Sequence, residues 1–254
     1  MLRLVFRRLT YGIVLITGLL ACSMVMAASP TLRFVVYHPH FPPYIFINDG
    51  EQQVIGIIPD LLAPFFAAEG VATEYLFDNR SGAEQRLYKG DVDAMMLSPE
   101  WATHPEQLLF SAGIIPYHDF LFARTPEEVV QLDSELKDKK ICTREYYVYP
   151  ELETFFAKGE MLRLDSSSQE AQMRMVQIKR CDLVYMNDLI ANWLLQRRFE
   201  NQQLFASKLL IGKTELKIAL HPRWKNLLPK LNAFLRQQQK NGELDKVIQR
   251  YVKP

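Results

Sequence analysis

One unit occurs twice in this chain of 254 residues, and it constrains the fold more than any other feature. Residues 81–97 (SGAEQRLYKGDVDAMML) return in outline as residues 167–186 (SSQEAQMRMVQIKRCDLVYM). Each copy pairs a serine with a glutamate three residues on, Ser81 with Glu84 and Ser167 with Glu170, a spacing that predicts a capping box at a helix start. A basic stop follows, then an acidic residue, Asp93 or Asp182, ahead of an apolar run that reads as a buried strand. Two such units predict two α/β lobes with a cleft between them, the shape of a small-molecule binder. At 48% hydrophobic and 23% charged residues, the apolar content suffices for one large core or two modest ones.

Strand and helix signals alternate around the repeat. Residues 32–37 are β-branched and aromatic and read as a strand, and the prolines at 39, 42 and 43 make the following segment a loop. A helix is expected from Pro59 to Gly70, a strand over 73–77, the first capped helix up to Gly90 and a strand over 93–97. This β-α-β-α-β order implies a parallel sheet covered by helices. After a strand at 120–124 the pattern restarts, with strands at 139–142, 161–164 and 182–186 and helices at 150–158 and from Ser167. A return strand at 215–220 precedes amphipathic helices at 227–239 and 243–252, separated by the Asn241-Gly242 stop. The second lobe, residues 125–215, is therefore expected to be inserted into the first, residues 28–124 with 216–254.

The N-terminus stands apart. Arg3, Arg7 and Arg8 precede an apolar run over residues 11–25, and Ala27, Ala28 and Ser29 follow, the layout of a cleaved secretory leader over residues 1–27. Cleavage after Ala27 is the better fit; the Leu19-Leu20-Ala21-Cys22 run competes as a lipidation box at Cys22. Loss of the leader removes three arginines and leaves 27 basic against 29 acidic residues, a balance of −2. Such a surface offers no electrostatic case for nucleic acid. Export to an oxidising compartment lets Cys142 and Cys181 pair, although two small buried side chains are an equally open reading.

Six segments in order resemble the type II periplasmic solute-binding proteins, specifically bacterial extracellular solute-binding family 3. They are residues 41–46 (FPPYIF), 56–62 (GIIPDLL), 87–94 (LYKGDVDA), 110–117 (FSAGIIPY), 179–183 (KRCDL) and 241–247 (NGELDKV). The resemblance implies two α/β lobes, each a mostly parallel sheet flanked by helices, joined by a two-strand hinge and closing on a small polar solute. It also implies a periplasmic protein that serves an ABC permease or a membrane sensor kinase; a monomer without cofactor is expected. Relatives that bind α-amino acids usually carry an arginine six residues before the Phe-Ser pair and an aspartate five residues after the strand-opening aspartate of the second lobe. Those positions hold His104 and Asn187. Imidazole lacks the fork and the permanent charge of guanidinium, so a standard amino acid is not the expected ligand.

Ligands of open α/β sheets sit beyond the carboxyl ends of strands. That rule selects Phe41 and Tyr44 as stacking platforms or lobe-edge cover, and Arg80 as a substitute cation or a solvated surface group. Ser98 and Trp101 follow the third strand, Tyr117 and His118 approach the hinge, and Arg144, Tyr146 and Tyr147 follow the strand of Cys142. Asn187 is expected to face the cleft, with Asp188 capping the next helix. No nucleophile elbow, zinc-protease motif or phosphate loop occurs, and His38-Pro39-His40 is too short a pair to define a metal site. The competing classes are a sensory module without transport and a dehydratase-like enzyme, for which Glu100 and Glu145 are the best-placed acids.

Overall fold

The computed structural model describes residues 29–252 apart from residues 49, 51 and 132. The expected leader, with Cys22 and the Ala27 site, lies outside the described residues. Among the described residues, no helix is long and apolar enough to cross a membrane.

The first half builds β1 (Thr31–Tyr37), a short hairpin of β2 (Phe46–Ile47) and β3 (Val54–Ile55), α1 (Ile57–Ala68), β4 (Ala72–Asp78), α2 (Arg80–Lys89), β5 (Ala94–Met96), β6 (Leu109–Phe110) and β7 (Ile115–Ala123). The second half adds β8 (Lys140–Arg144), α3 (Glu153–Ala157), β9 (Leu162–Ser166), α4 (Gln169–Gln177), β10 (Leu183–Asn187), α5 (Asp188–Arg197), β11 (Phe205–Ala206) and β12 (Gly212–Leu216). The chain ends with β13 (Ile218–Leu220), α6 (Leu228–Lys240) and α7 (Glu243–Val252). One sheet runs β4-β1-β5-β13-β6 and the other β11-β7-β10-β8-β9, with β12 on β7. Each has a parallel centre, β4-β1-β5 and β10-β8-β9, and antiparallel return strands. Leu32, Phe34, Val35 and Val36 of β1 are buried on both faces, as a parallel strand covered by helices requires.

The repeat has a structural counterpart in its acidic residue. Asp93 Oδ2 accepts the backbone N–H of Arg33 at 2.8 Å, and the Asp93 N–H returns to the Arg33 carbonyl at 2.8 Å. Asp182 does the same to Lys140, at 2.7 and 2.8 Å. In both units the carboxylate thus joins the start of the incoming strand to the central one. The caps sit differently from the expected boxes. Asn79 caps α2 by accepting from the Gly82 N–H, and Ser168 caps α4 by accepting from the Ala171 N–H. With the cap at Asn79, Glu84 falls inside α2, where it pairs with Arg80 one turn back and accepts the Thr103 N–H from the loop after β5, so the first box does not form. α3 is also shorter than the helix expected over 150–158.

Two passages connect the sheets side by side. Ser111 and Ile114 donate backbone N–H groups to Ile218 and Leu216, and Leu97 donates to Lys217 between β12 and β13. β7, which precedes the expected lobe boundary at residue 124, pairs with β10, β11 and β12 in the second sheet. The expected single return strand is two, β12 and β13, one in each sheet. Gly56 illustrates how tightly the first unit is folded: its φ is 133° and a Cβ there would stand 2.5 Å from the Tyr44 carbonyl oxygen. Cys142 and Cys181, both buried, form a disulfide with a Cα–Cα distance of 5.7 Å.

Candidate functional site

The loops at the carboxyl ends of β1, β4, β5, β8 and β10 converge between the two sheets, and direct bonds cross the gap. Arg144, buried at the end of β8, donates to the carbonyls of His38 at 2.8 Å and His40 at 3.2 Å, and to Gln169 Oε1 at 2.6 Å. Its guanidinium lies 5.0 Å from the Tyr147 ring centre and 5.8 Å from that of Phe41. Arg80, at the start of α2, is buried against Glu84 at 3.3 Å and donates to the Tyr146 carbonyl at 3.2 Å and to the Trp101 carbonyl. Tyr44 donates its hydroxyl to Asn187 Oδ1 at 2.9 Å.

Two small cavities remain within this closed cleft, of about 50 and 40 Å³. Tyr37, Phe41, Arg80, Trp101, Tyr117, Asp119, Tyr147, Tyr149 and Tyr185 line the first. Phe41, Tyr117, Asp119, Tyr147, Tyr149 and Tyr185 recur in the second, joined by Arg144, Gln172 and Asn187. The rings pack on one another: Phe41 stacks on Tyr147 with centroids 6.1 Å apart, and Trp101 meets Tyr117 edge-on at 5.0 Å. Burial raises the Tyr37, Tyr117 and Tyr185 hydroxyls well above the ordinary phenol range, so all three stay neutral donors. The Tyr147 hydroxyl oxygen is buried with no hydrogen-bond partner.

Of the ten side chains expected to bind ligand, Phe41, Arg80, Trp101, Tyr117, Arg144 and Asn187 line these cavities. Tyr44 lies behind them as a strut. Ser98 is fully buried and donates to the Glu215 carbonyl at 2.7 Å, tying the loop after β5 to β12 rather than reaching the cleft. His104 is exposed beside Glu106 at 3.5 Å, outside both cavities. Tyr146 adopts a left-handed backbone (φ 65°) and leaves its ring half exposed, while its carbonyl serves Arg80 and Tyr147 takes the interior place. Asn187 accepts from the Leu189 and Ile190 N–H groups and donates to the His118 carbonyl at 3.1 Å, so its amide is committed to capping α5. Glu100 and Glu145 line neither cavity. Among the described residues no group of three or more His, Cys, Asp or Glu could hold a metal ion.

Asp119, Tyr37, Tyr149 and Tyr185 line the first cavity without being expected there from the sequence. A signal for Asp119 exists: Ile115, Tyr117, Asp119 and Leu121 alternate at period two and are all buried in β7. Pro116 obscures that strand because proline cannot donate to a ladder, but here it sits exposed.

The model of the bacterial extracellular solute-binding proteins, family 3, matches residues 34–254. The chain belongs to that family. No curated sequence matches this family 3 protein. Its fold is shared with a mutant of ArgBP from T. maritima, at TM-score 0.72 and 16% identity over 88% of this chain and 96% of the other. The amino acid ABC transporter substrate-binding protein AbpA from Streptococcus pneumoniae, bound to L-arginine, matches at TM-score 0.73 and 17% identity over 88% and 94%. An ancestral amino-acid-binding protein, AncCDT-1, described as a precursor of cyclohexadienyl dehydratase, matches at 0.71 and 17% over 88% and 96%. Identities this low establish the shared fold of this family 3 protein and leave its ligand to the site itself.

Proposed function

We propose that this protein is a periplasmic solute receptor whose two lobes, dividing at residues 111–115 and 217, close on a small polar or aromatic solute. It hands the solute to an ABC-type permease or reports it to a membrane sensor. The solved neighbours include arginine-bound, lysine-bound and glutamate-bound proteins. A standard α-amino acid is nevertheless not the ligand favoured here. The observation that carries this reading is the state of the two anchor positions: His104 stands outside the cleft, and the Asn187 amide oxygen is occupied by the α5 N–H groups and Tyr44 while one of its N–H donors serves the His118 carbonyl. In their place the cleft offers aromatic faces, neutral hydroxyls and lobe-bridging arginines. Closure is a hinge motion that a solute favours through contacts made only when the lobes meet.

A thermal-shift screen of amino acids, amines, organic acids and peptides tests both parts. The expected result is dose-dependent stabilisation by a solute outside the twenty amino acids, since binding to the folded state alone raises Tm. Stabilisation by a standard amino acid at micromolar concentration would overturn the ligand class. A screen without any stabilising solute would overturn the receptor reading.

A further inference from the structure

We propose that the cleft recognises an organic cation, a small amine whose ammonium sits on the Asp119 carboxylate and whose apolar body lies among the Tyr37, Phe41, Tyr117 and Tyr147 rings. This deepens the receptor reading and rests on it. Asp119 is 5% exposed, lines both cavities, and has no Lys, Arg or His within ion-pair distance among the described residues. Its carboxylate meets the Tyr185 hydroxyl of β10. The carboxylates of Glu151, ahead of α3, and Asp188, at the start of α5, also act on it, and so do the neutral Tyr44 and Tyr117 hydroxyls of the first unit and β7. The two arginines of the cleft are engaged elsewhere: Arg80 with Glu84, and Arg144 with three oxygens. A lone buried carboxylate is costly unless a cation or a proton joins it.

The surroundings suit a cation in two further ways. Ring faces attract an ammonium, most strongly when water is excluded. The buried Tyr147 hydroxyl, which lacks a partner, supplies an acceptor for one ammonium N–H. Space is kept open from the opposite side by Gly212, paired with Asp119 across β12 and β7. A Cβ there would stand 2.8 Å from the Tyr185 hydroxyl and 3.0 Å from Asp119 Oδ2. A cavity of 50 Å³ holds a few waters, at roughly 10–15 Å³ each, or the head of one small amine.

Burial, reinforced by Glu151 and Asp188 and opposed by the Tyr185 hydrogen bond, pushes the Asp119 carboxyl up to about 8. Ligand-free Asp119 is therefore mostly protonated at neutral pH, and an arriving ammonium must displace that proton. Affinity for a permanently protonated amine then rises roughly tenfold per pH unit below that value and levels off above it.

The test is calorimetric titration of the full chain with two isosteric triads: butylamine, butanol and butyrate, and phenethylamine, 2-phenylethanol and 3-phenylpropionate. Binding of an amine with release of a proton at pH 7, and no binding of the alcohols or acids, is the expected result. Asp119→Asn should weaken the amine by about 30-fold or more while the fold persists. Gly212→Ala, which crowds the same carboxylate, should do the same through shape. Binding of an alcohol or acid in preference to the amines, or amine binding unmoved by both variants or by pH, overturns the cation assignment and leaves the receptor reading standing. A protein stabilised by no solute in either screen overturns both.

Discussion

Replacing Arg144 with methionine should release the lobes from each other. Methionine keeps the length and apolar bulk of the stem, so Phe41 and Tyr147 retain a neighbour, but it removes every donor. Two of the three Arg144 bonds, to the His38 and His40 carbonyls, cross from the second sheet's unit to the first. Hydrogen bonds from a charged donor contribute about 1.5–3 kcal/mol each. Because both partners rehydrate when the cleft opens, the lower figure applies, and the pair favours closure by about 3 kcal/mol. That corresponds to about 150-fold in the closed-to-open ratio. Arg144→Lys should fall between, since one ammonium cannot reproduce the fork that reaches two carbonyls and Gln169 together. Small-angle X-ray scattering reads the result as a larger radius of gyration for Arg144→Met. Trp101, at the cleft wall, offers a second readout through its fluorescence. Equal closed fractions in the parent protein and in Arg144→Met would refute the reasoning, because the bridging bonds would then carry no net preference for closure.

Three other perturbations follow from the same structure. For Asp119, the folded carboxyl lies above the unfolded one, so its contribution to stability is complete below about pH 4 and lost as pH rises to about 8, with a slope of about 1.4 kcal/mol per pH unit. Urea denaturation should show Asp119→Asn gaining on the parent between pH 5 and 8; parallel profiles would sink this account. Reduction of Cys142–Cys181, which closes a loop with a sequence separation of 39, should lower stability by up to about 4 kcal/mol on the chain-entropy scale. A denaturation midpoint indifferent to reductant would count against it. Burial alone would raise Asp93, but hydrogen bonds from Trp224, the Arg33 backbone and side chain, and Arg223 outweigh it and hold the carboxyl below its usual range. Its stabilisation is thus present above the unfolded value near 4 and lost as pH falls through the lowered folded value. Asp93→Asn should cost about 2 kcal/mol, less than for a fully buried pair because Arg33 and Arg223 are partly exposed, and should flatten the acid limb of the stability profile.

Local patterns carried the elements and their order. The apolar run of β1, the Gly90 and Gly242 stops and the strand-opening Asp93 and Asp182 are each written within a few residues, and so is the recurrence that implies two similar units. Asp93 and Asp182 bind the neighbouring strand through a backbone N–H, a contact that recurs whenever the local unit recurs. The capping boxes mark the edge of this reach. Ser167 lies one residue from the true cap, and the α2 cap is Asn79, two residues ahead of Ser81, which leaves Glu84 inside the helix to accept the Thr103 N–H from a distant loop.

Local residue patterns specify the class of architecture, the family resemblance and the loops that border a ligand site. Tertiary structure alone decided which side chains of those loops face the gap. Ser98 and Tyr44 lie on cleft-bordering segments, yet one is spent on the Glu215 carbonyl and the other on Asn187, partners 117 and 143 residues away. Tyr146 and Tyr147 are neighbours of the same type, and a left-handed backbone at the first sends one ring to solvent and the other inward. Asp119 reads as an ordinary strand-edge acid until β10 and β12 close over it. Burial, charge isolation and the meeting of two lobes are sums over distant segments, and no window of neighbouring residues contains them.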